Sequence, residues 1–208
     1  MAPNTNYGQV RGHKLPGMTP DRWAMMAFAG VEFVAGVVSI VTSANALGIS
    51  GEYGVSGAST LPGFTNTFDP LQDLRMKTGW GLTLNCISLL SLLGITAYYT
   101  VGRKVQHYEQ VRHFPLVGNA FLLKVLVIVL GAVGIVVAAA SSTLLFCAGS
   151  YNNLVPYRTP TAREDAHTAL TTAAAFQLTC LVLKLLEAVL GHVWALTLHN
   201  YHTQALNK

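Results

Sequence analysis

The sequence predicts an all-α fold, an integral-membrane, antiparallel four-helix bundle of left-handed twist. Three observations carry this. Charged residues are 11% of the 208-residue chain and apolar residues 51%, with a mean hydropathy of +0.42. A soluble protein carries about 25% charge, and one core of this size cannot hide so much apolar surface behind so few charges. Next, four apolar segments follow one another, each meeting or exceeding the ~20 residues that cross ~30 Å of hydrocarbon. Last, no ten-residue alternating pattern appears, so helices rather than a barrel must satisfy the backbone in lipid.

Taken in order, residues 1–22 read as a polar tail rich in turn formers, with Pro3, Pro16 and Pro20. Thr19-Pro20-Asp21 has the form of a helix start, Thr as N-cap and Pro in the first turn. The first span, about 23–47, is too long for a removable signal and lacks a cleavage site. The second is expected at about 78–101, the third at 117–147 and the fourth at 168–198. The last two, at about 46 Å of helix each, must tilt or project beyond the hydrocarbon. Between them lie an outer loop at 48–77, an inner loop at 102–116 and a second outer loop at 149–166. A tail, 199–208, closes the chain.

Orientation follows from the basic residues. Arg11, Lys14, Arg22, Arg103, Lys104, Arg112 and Lys208 fall on one side, with only Asp21 and Glu109 as acids, a net charge of +5. Arg75, Lys77, Arg158 and Arg163 fall on the other, with Glu52, Asp69, Asp73, Glu164 and Asp165, a net −1. Both termini are therefore expected in the cytoplasm, in the plasma membrane. This asymmetry accounts for the overall +4 charge. No basic stripe or reader motif marks a nucleic-acid partner.

The loops and spans offer three sets of candidate residues. In the outer loops, Tyr53, Phe64, Phe68, Tyr151 and Tyr157 stand beside Gly and Pro. Aromatics so placed either contact a partner or pack the loops onto their own helix ends. Within the spans, small residues recur every four positions: Ala35, Ser39 and Ser43; Gly134, Ala138 and Ser142; Thr171, Ala175 and Thr179. Such faces let membrane helices approach closely, within the bundle or between copies. Finally, Glu32, Lys124, Lys184 and Glu187 place four ionisable groups inside the spans, with charges summing to zero. Each is costly in lipid unless paired or wetted. Lys184 and Glu187, three apart, share a helix face and can pair within one helix. By depth, Glu32 and Lys124 can pair across helices, with Glu187 competing for the same ammonium, or Lys124 can snorkel to the interface. The cluster reads as a clasp fixing helix register, or alternatively as a proton or cation relay.

Catalysis is not expected, nor any metal or cofactor. There is no Cys-x-x-Cys pair, since Cys86, Cys147 and Cys180 are dispersed in or beside the spans. His192 lies alone inside a span, His167 sits at an outer edge, and His199 and His202 lack carboxylate or thiolate company. No phosphate-binding glycine loop or nucleophile motif occurs.

The order of tail, span, long outer loop, span, short inner loop, long span, shorter outer loop and long span resembles the claudin-like and other four-span families. In the last span, Leu186-Glu187-Ala188 followed by Ala195-Leu196-Thr197-Leu198 is similar to the keratinocyte-associated and related small four-span proteins. The resemblance covers nearly the whole chain and implies a four-span fold. It departs where claudins carry Trp-Leu-Trp-Cys-Cys in the first outer loop and the keratinocyte-associated proteins carry cysteines in the second, because neither loop here holds a cysteine. The expected role is that of a non-catalytic structural or assembly subunit, surrounded by lipid and working as a homo-oligomer or within a larger membrane complex. The alternative is an ion- or proton-conducting component built on the four intramembrane charges.

Overall fold

The computed structural model describes residues 20–57, 69–97 and 117–206, with side chains described for 26–57, 69–97 and 125–189. The described chain is four helices: α1 (Pro20–Tyr53), α2 (Pro70–Ala97), α3 (Val117–Asn152) and α4 (Pro160–Leu206). Each contains a stretch of 28 to 30 residues long and apolar enough to cross a membrane: Met26–Tyr53, Pro70–Ala97, Val125–Asn152 and Pro160–Val189. The protein is an integral membrane protein.

Three of the helices begin at a proline, where the missing N–H is one of the donors left free at any helix start and the fixed φ is already helical. Asp69 caps α2, its Oδ1 accepting from Leu71 N at 3.0 Å, and Thr159 caps α4, its Oγ1 accepting from Ala162 N at 3.4 Å. These signals carry the helices past their most apolar stretches. α1 runs on from residue 47 to 53, and α2 starts at 70 rather than near 78. α3 continues to 152 and α4 starts at 160. The connections are correspondingly shorter than hydropathy alone gives, and at the starts of α2 and α4 a cap and a proline, not apolar content, set the boundary.

α1 packs on α2 and α4, and α3 packs on α2 and α4. Contacts run antiparallel throughout. Glu32 and Ser39 of α1 meet Lys184 and Ala173 of α4. Gly81 of α2 meets Leu145 of α3, while Gly94 meets Leu130. One end of the structure therefore carries the α1–α2 and α3–α4 connections (the hairpin end); the other carries the beginnings of α1 and α3 and the last residues of α2 and α4 (the termini end).

The interior changes character along this axis. Toward the hairpin end it is mainly apolar, with Ala46, Leu71, Leu74, Leu145, Ala148, Ala169, Leu170, Ala173 and Ala174 packed together and joined by Val155, while the buried Ser43, Ser50 and Thr78 return their hydroxyls to carbonyls of their own helices. Toward the termini end it is polar, and Glu32, Ser39, Asn85, Ser88, Ser91, Ser141, Gln177 and Lys184 are all buried. The outward faces reverse the usual rule: Val34, Leu90, Ile128, Val136 and Val189 are each 60% exposed or more. That surface suits lipid, in which apolar side chains lose nothing by facing out.

Small residues open the interior to close approach, although not all the expected ones do so. Ala35, Ser39 and Ser43 of α1 and Gly134, Ala138 and Ser142 of α3 face inward. In α4, by contrast, Thr171, Ala175 and Thr179 point outward, and the inward face is Ala166, Ala169, Leu170, Ala173, Ala174 and Cys180. The expected stripe was displaced by about a third of a turn. A run of alanines on both sides leaves spacing unable to say which face is used. Thr171 and Thr179 instead return their hydroxyls to His167 and Ala175 carbonyls of their own helix.

Candidate functional site

Two constructions stand out, one in each half. In the termini half, Lys184 of α4 reaches across to α1 and forms an ion pair with Glu32, the lysine 6% exposed and the glutamate 2%. Its ammonium lies against α3, since a β-carbon added at Gly134 would stand 3.5 Å from Lys184 Nζ and 2.7 Å from Ser91 Oγ of α2. All four helices thus converge on one charged group, and the glycine makes the space for it. Cys180, one turn away on α4, donates its thiol to Glu32 O at 3.5 Å.

The pairing differs from the expected one. Lys184 takes the interhelical partner rather than Glu187, because its side chain lies on the buried face of α4 while Glu187 is only partly buried. Glu187 follows Lys184 by three residues, which puts the two side chains on the same side of α4. The described partner of Glu32 is Lys184. The backbone of Lys124 sits ten residues, about 15 Å, along α3 from Gly134 toward the termini end; its side chain, and with it the expected Glu32–Lys124 contact, lies outside the described residues. Two carboxylate atoms, Glu32 Oε2 and Glu187 Oε1, are buried without a hydrogen-bond partner, as is Gln177 Nε2.

Immediately on the hairpin side of the ion pair, a neutral network joins all four helices. Asn85 Nδ2 donates to Ser39 Oγ at 2.7 Å, and Ser39 Oγ donates to Ala173 O at 2.9 Å. Ser141 Oγ donates to Gly81 O at 2.9 Å and also contacts Asn85 Oδ1. Spacing alone marks Ser39 only as a small residue and does not single out Asn85, Ser141 or Gln177. The available signal was an amide within an apolar span, which needs a partner in lipid.

At the hairpin end the two connections are tied together. Val55 N donates to Pro156 O at 2.9 Å and Arg158 N to Tyr53 O at 3.0 Å, giving an isolated antiparallel bridge between Gly54 and Tyr157. Gly54 is required there: a β-carbon would come within 2.4 Å of Ser50 O and 2.5 Å of Leu71 Cδ1. Below the bridge, fully buried Asn152 accepts from Tyr157 Oη at 2.6 Å and donates to Arg163 O at 3.1 Å. Arg163 Nη2 in turn donates to Asn153 O at 2.8 Å. Burial pushes the Tyr157 phenol up to about 12, against the opposing pull of the Arg163 charge. Lys77 forms an ion pair with Asp73 and sits 4.2 Å from the centre of the Tyr151 ring, a cation–π contact joining α2 to α3.

Of the aromatics expected to meet a partner, Tyr151 and Tyr157 pack against the chain's own apolar core. Tyr53 is half-buried at the end of α1, and Phe64 and Phe68 lie outside the described residues. The apolar side chains that do protrude from the connections are Val55, 41% exposed, and Leu154, 55% exposed. Cys86, Cys147 and Cys180 are all free thiols within helices. Among the described residues no group of three or more His, Cys, Asp or Glu side chains is arranged to hold a metal. No protein-family model, curated protein or solved structure matches the chain.

Proposed function

We propose that this protein is a non-catalytic structural or assembly subunit: a left-handed, antiparallel four-helix bundle in the plasma membrane, with both termini cytoplasmic. Its hairpin end meets a neighbour, either a second copy or another member of a membrane complex. The observation that carries this reading is the tie between the two connections. Backbone bonds from Val55 to Pro156 and from Arg158 to Tyr53 hold the exposed Val55 and Leu154 just past the ends of the first and third apolar stretches. Apolar side chains fixed on a rigid support lose little entropy on docking, which is what a contact surface requires.

Particle mass in mild detergent tests it. The wild type is expected above protomer mass, and Val55→Ser/Leu154→Ser is expected at protomer mass with unchanged helicity, since neither residue is in the core cluster. A wild-type protein that runs as a lone protomer, or a double variant that keeps the wild-type mass, removes the assembly reading. Conduction through Glu32, Lys184 and Glu187 draws on the polar interior of the termini half, but Leu71, Leu74, Leu145 and Leu170 fill the interior beyond it. Cation flux in liposomes that disappears in Glu32→Gln would transfer the function to that reading.

A further inference from the structure

We propose that the charge cluster is a proton-binding site, in which the Glu32 and Glu187 carboxyls share one exchangeable proton beside the Lys184 ammonium. This does not depend on the assembly reading, since a bound proton is needed whether or not the hairpin end docks.

The first ground is charge. Among the described side chains, the Glu32 carboxyl and the Lys184 ammonium are paired in this layer, and Glu187, three residues on from Lys184 and on the same side of α4, brings a second carboxyl with a buried Oε1. If both carboxyls were ionised, the layer would hold a net negative charge that its neutral neighbours cannot balance, and a buried group in that position neutralises rather than bear the desolvation cost. Geometry supplies the second ground. Glu32 spends Oε1 on Lys184 while Oε2 has no partner, and Glu187 Oε1 has none either. Both unsatisfied atoms are buried oxygens of the kind that a proton converts into a donor or relieves of charge.

Among the described residues the neighbours supply no second cation. From α1 the group is Glu32 itself; from α2 come Ser88 and Ser91, with the Ser91 hydroxyl donated to Ser88 O at 2.7 Å. α3 contributes Gly134, and α4 contributes Cys180, Lys184 and Glu187. Lys124 and His192 lie farther toward the termini end on α3 and α4, with side chains outside the described residues. An alkali ion fits less well than a proton. It would require several oxygen ligands, and the Lys184 ammonium already in contact with Glu32 would repel it.

Infrared spectroscopy of the purified full chain in lipid nanodiscs reads the proton directly, as the C=O stretch of a carboxylic acid. At neutral pH the wild type should show one such group. Glu187→Gln and Glu32→Gln should each lose it, because the remaining carboxylate is then balanced by Lys184. Lys184→Met should show about twice the wild-type band, since both carboxyls then lack a cation. If Glu32→Gln does not fold, Glu187→Gln and Lys184→Met decide. A wild type with no acid band at neutral pH overturns the proposal. So does a band that appears only in Lys124→Met, which would make Lys124 the second cation. A band that survives Glu187→Gln, or one that high sodium abolishes, overturns it as well.

Discussion

The two halves of this protein are held together by opposite means. In the hairpin half, Leu74, Leu145 and Leu170 interlock with alanines, and polar groups sit at the rim, where Asn152, Tyr157 and Arg163 close the connections. In the termini half, a buried ion pair and an Asn–Ser network fill the centre, and apolar side chains are turned out. In water the first arrangement would be ordinary and the second ruinous. In lipid the ranking changes, because apolar residues gain nothing from leaving a solvent as apolar as themselves. The hairpin half must therefore hold by shape. The termini half instead carries directional bonds between helices, of a kind that lipid cannot replace.

The sharpest way to break that contrast is to remove the ion pair between α1 and α4. Glu32→Gln leaves Lys184 only Glu187 of its own helix as counter-ion, and removing one partner of a buried pair costs about 3–5 kcal/mol, the low end applying where a second carboxylate stands by. Thermal unfolding in detergent should show a large fall in Tm for Glu32→Gln, and Glu32→Gln/Lys184→Met should recover most of it. A double variant no more stable than Glu32→Gln would mean that the pair's charges are not what couples α1 to α4.

Loss of shape in the other half should cost less. Leu145→Ala removes the side chain that packs against Gly81 and opens a void in the apolar cluster. Lost contacts and cavity rather than transfer from water set the penalty, so roughly 2 kcal/mol is expected, at the low end of such truncations. The same unfolding assay compares it with Glu32→Gln, and the reverse order would invalidate the division between the halves.

The smallest effect concerns the rim. The Tyr157 phenol is raised from the usual 10 to about 12 by burial, so the folded state keeps its proton after the unfolded chain has lost it. Its contribution is fully present below pH 10 and fades as the pH climbs from 10 toward 12. Tyr157→Phe should lower Tm modestly at neutral pH through the lost bond to Asn152. It should also lose less than the wild type between pH 10 and 12; parallel alkaline curves would show that the phenol does not titrate with unfolding.

Much of this was written in the chain. Four apolar stretches with 11% charge leave no stable option but spanning helices, since every backbone polar group in lipid must be satisfied within its own segment. Asp69-Pro70 and Thr159-Pro160 also marked helix starts as plainly as Thr19-Pro20 did, and reading them would have placed the ends of α2 and α4. The candidate site was legible as a set, because any ionisable residue inside a span is expensive enough to notice. Its connections were not. Whether Lys184 turns to Glu187 on its own helix or to Glu32 on α1 depends on a helix rotation that a periodic run of Ala and Leu does not fix. The same ambiguity hid the outward placement of Thr171, Ala175 and Thr179 and the inward packing of Tyr151 and Tyr157. Sequence determined which segments enter the membrane, because transfer into lipid is a sum over local composition. Tertiary structure alone decided which faces meet, because close packing and buried hydrogen bonds depend on residues distant in the chain coming within a few ångströms of one another.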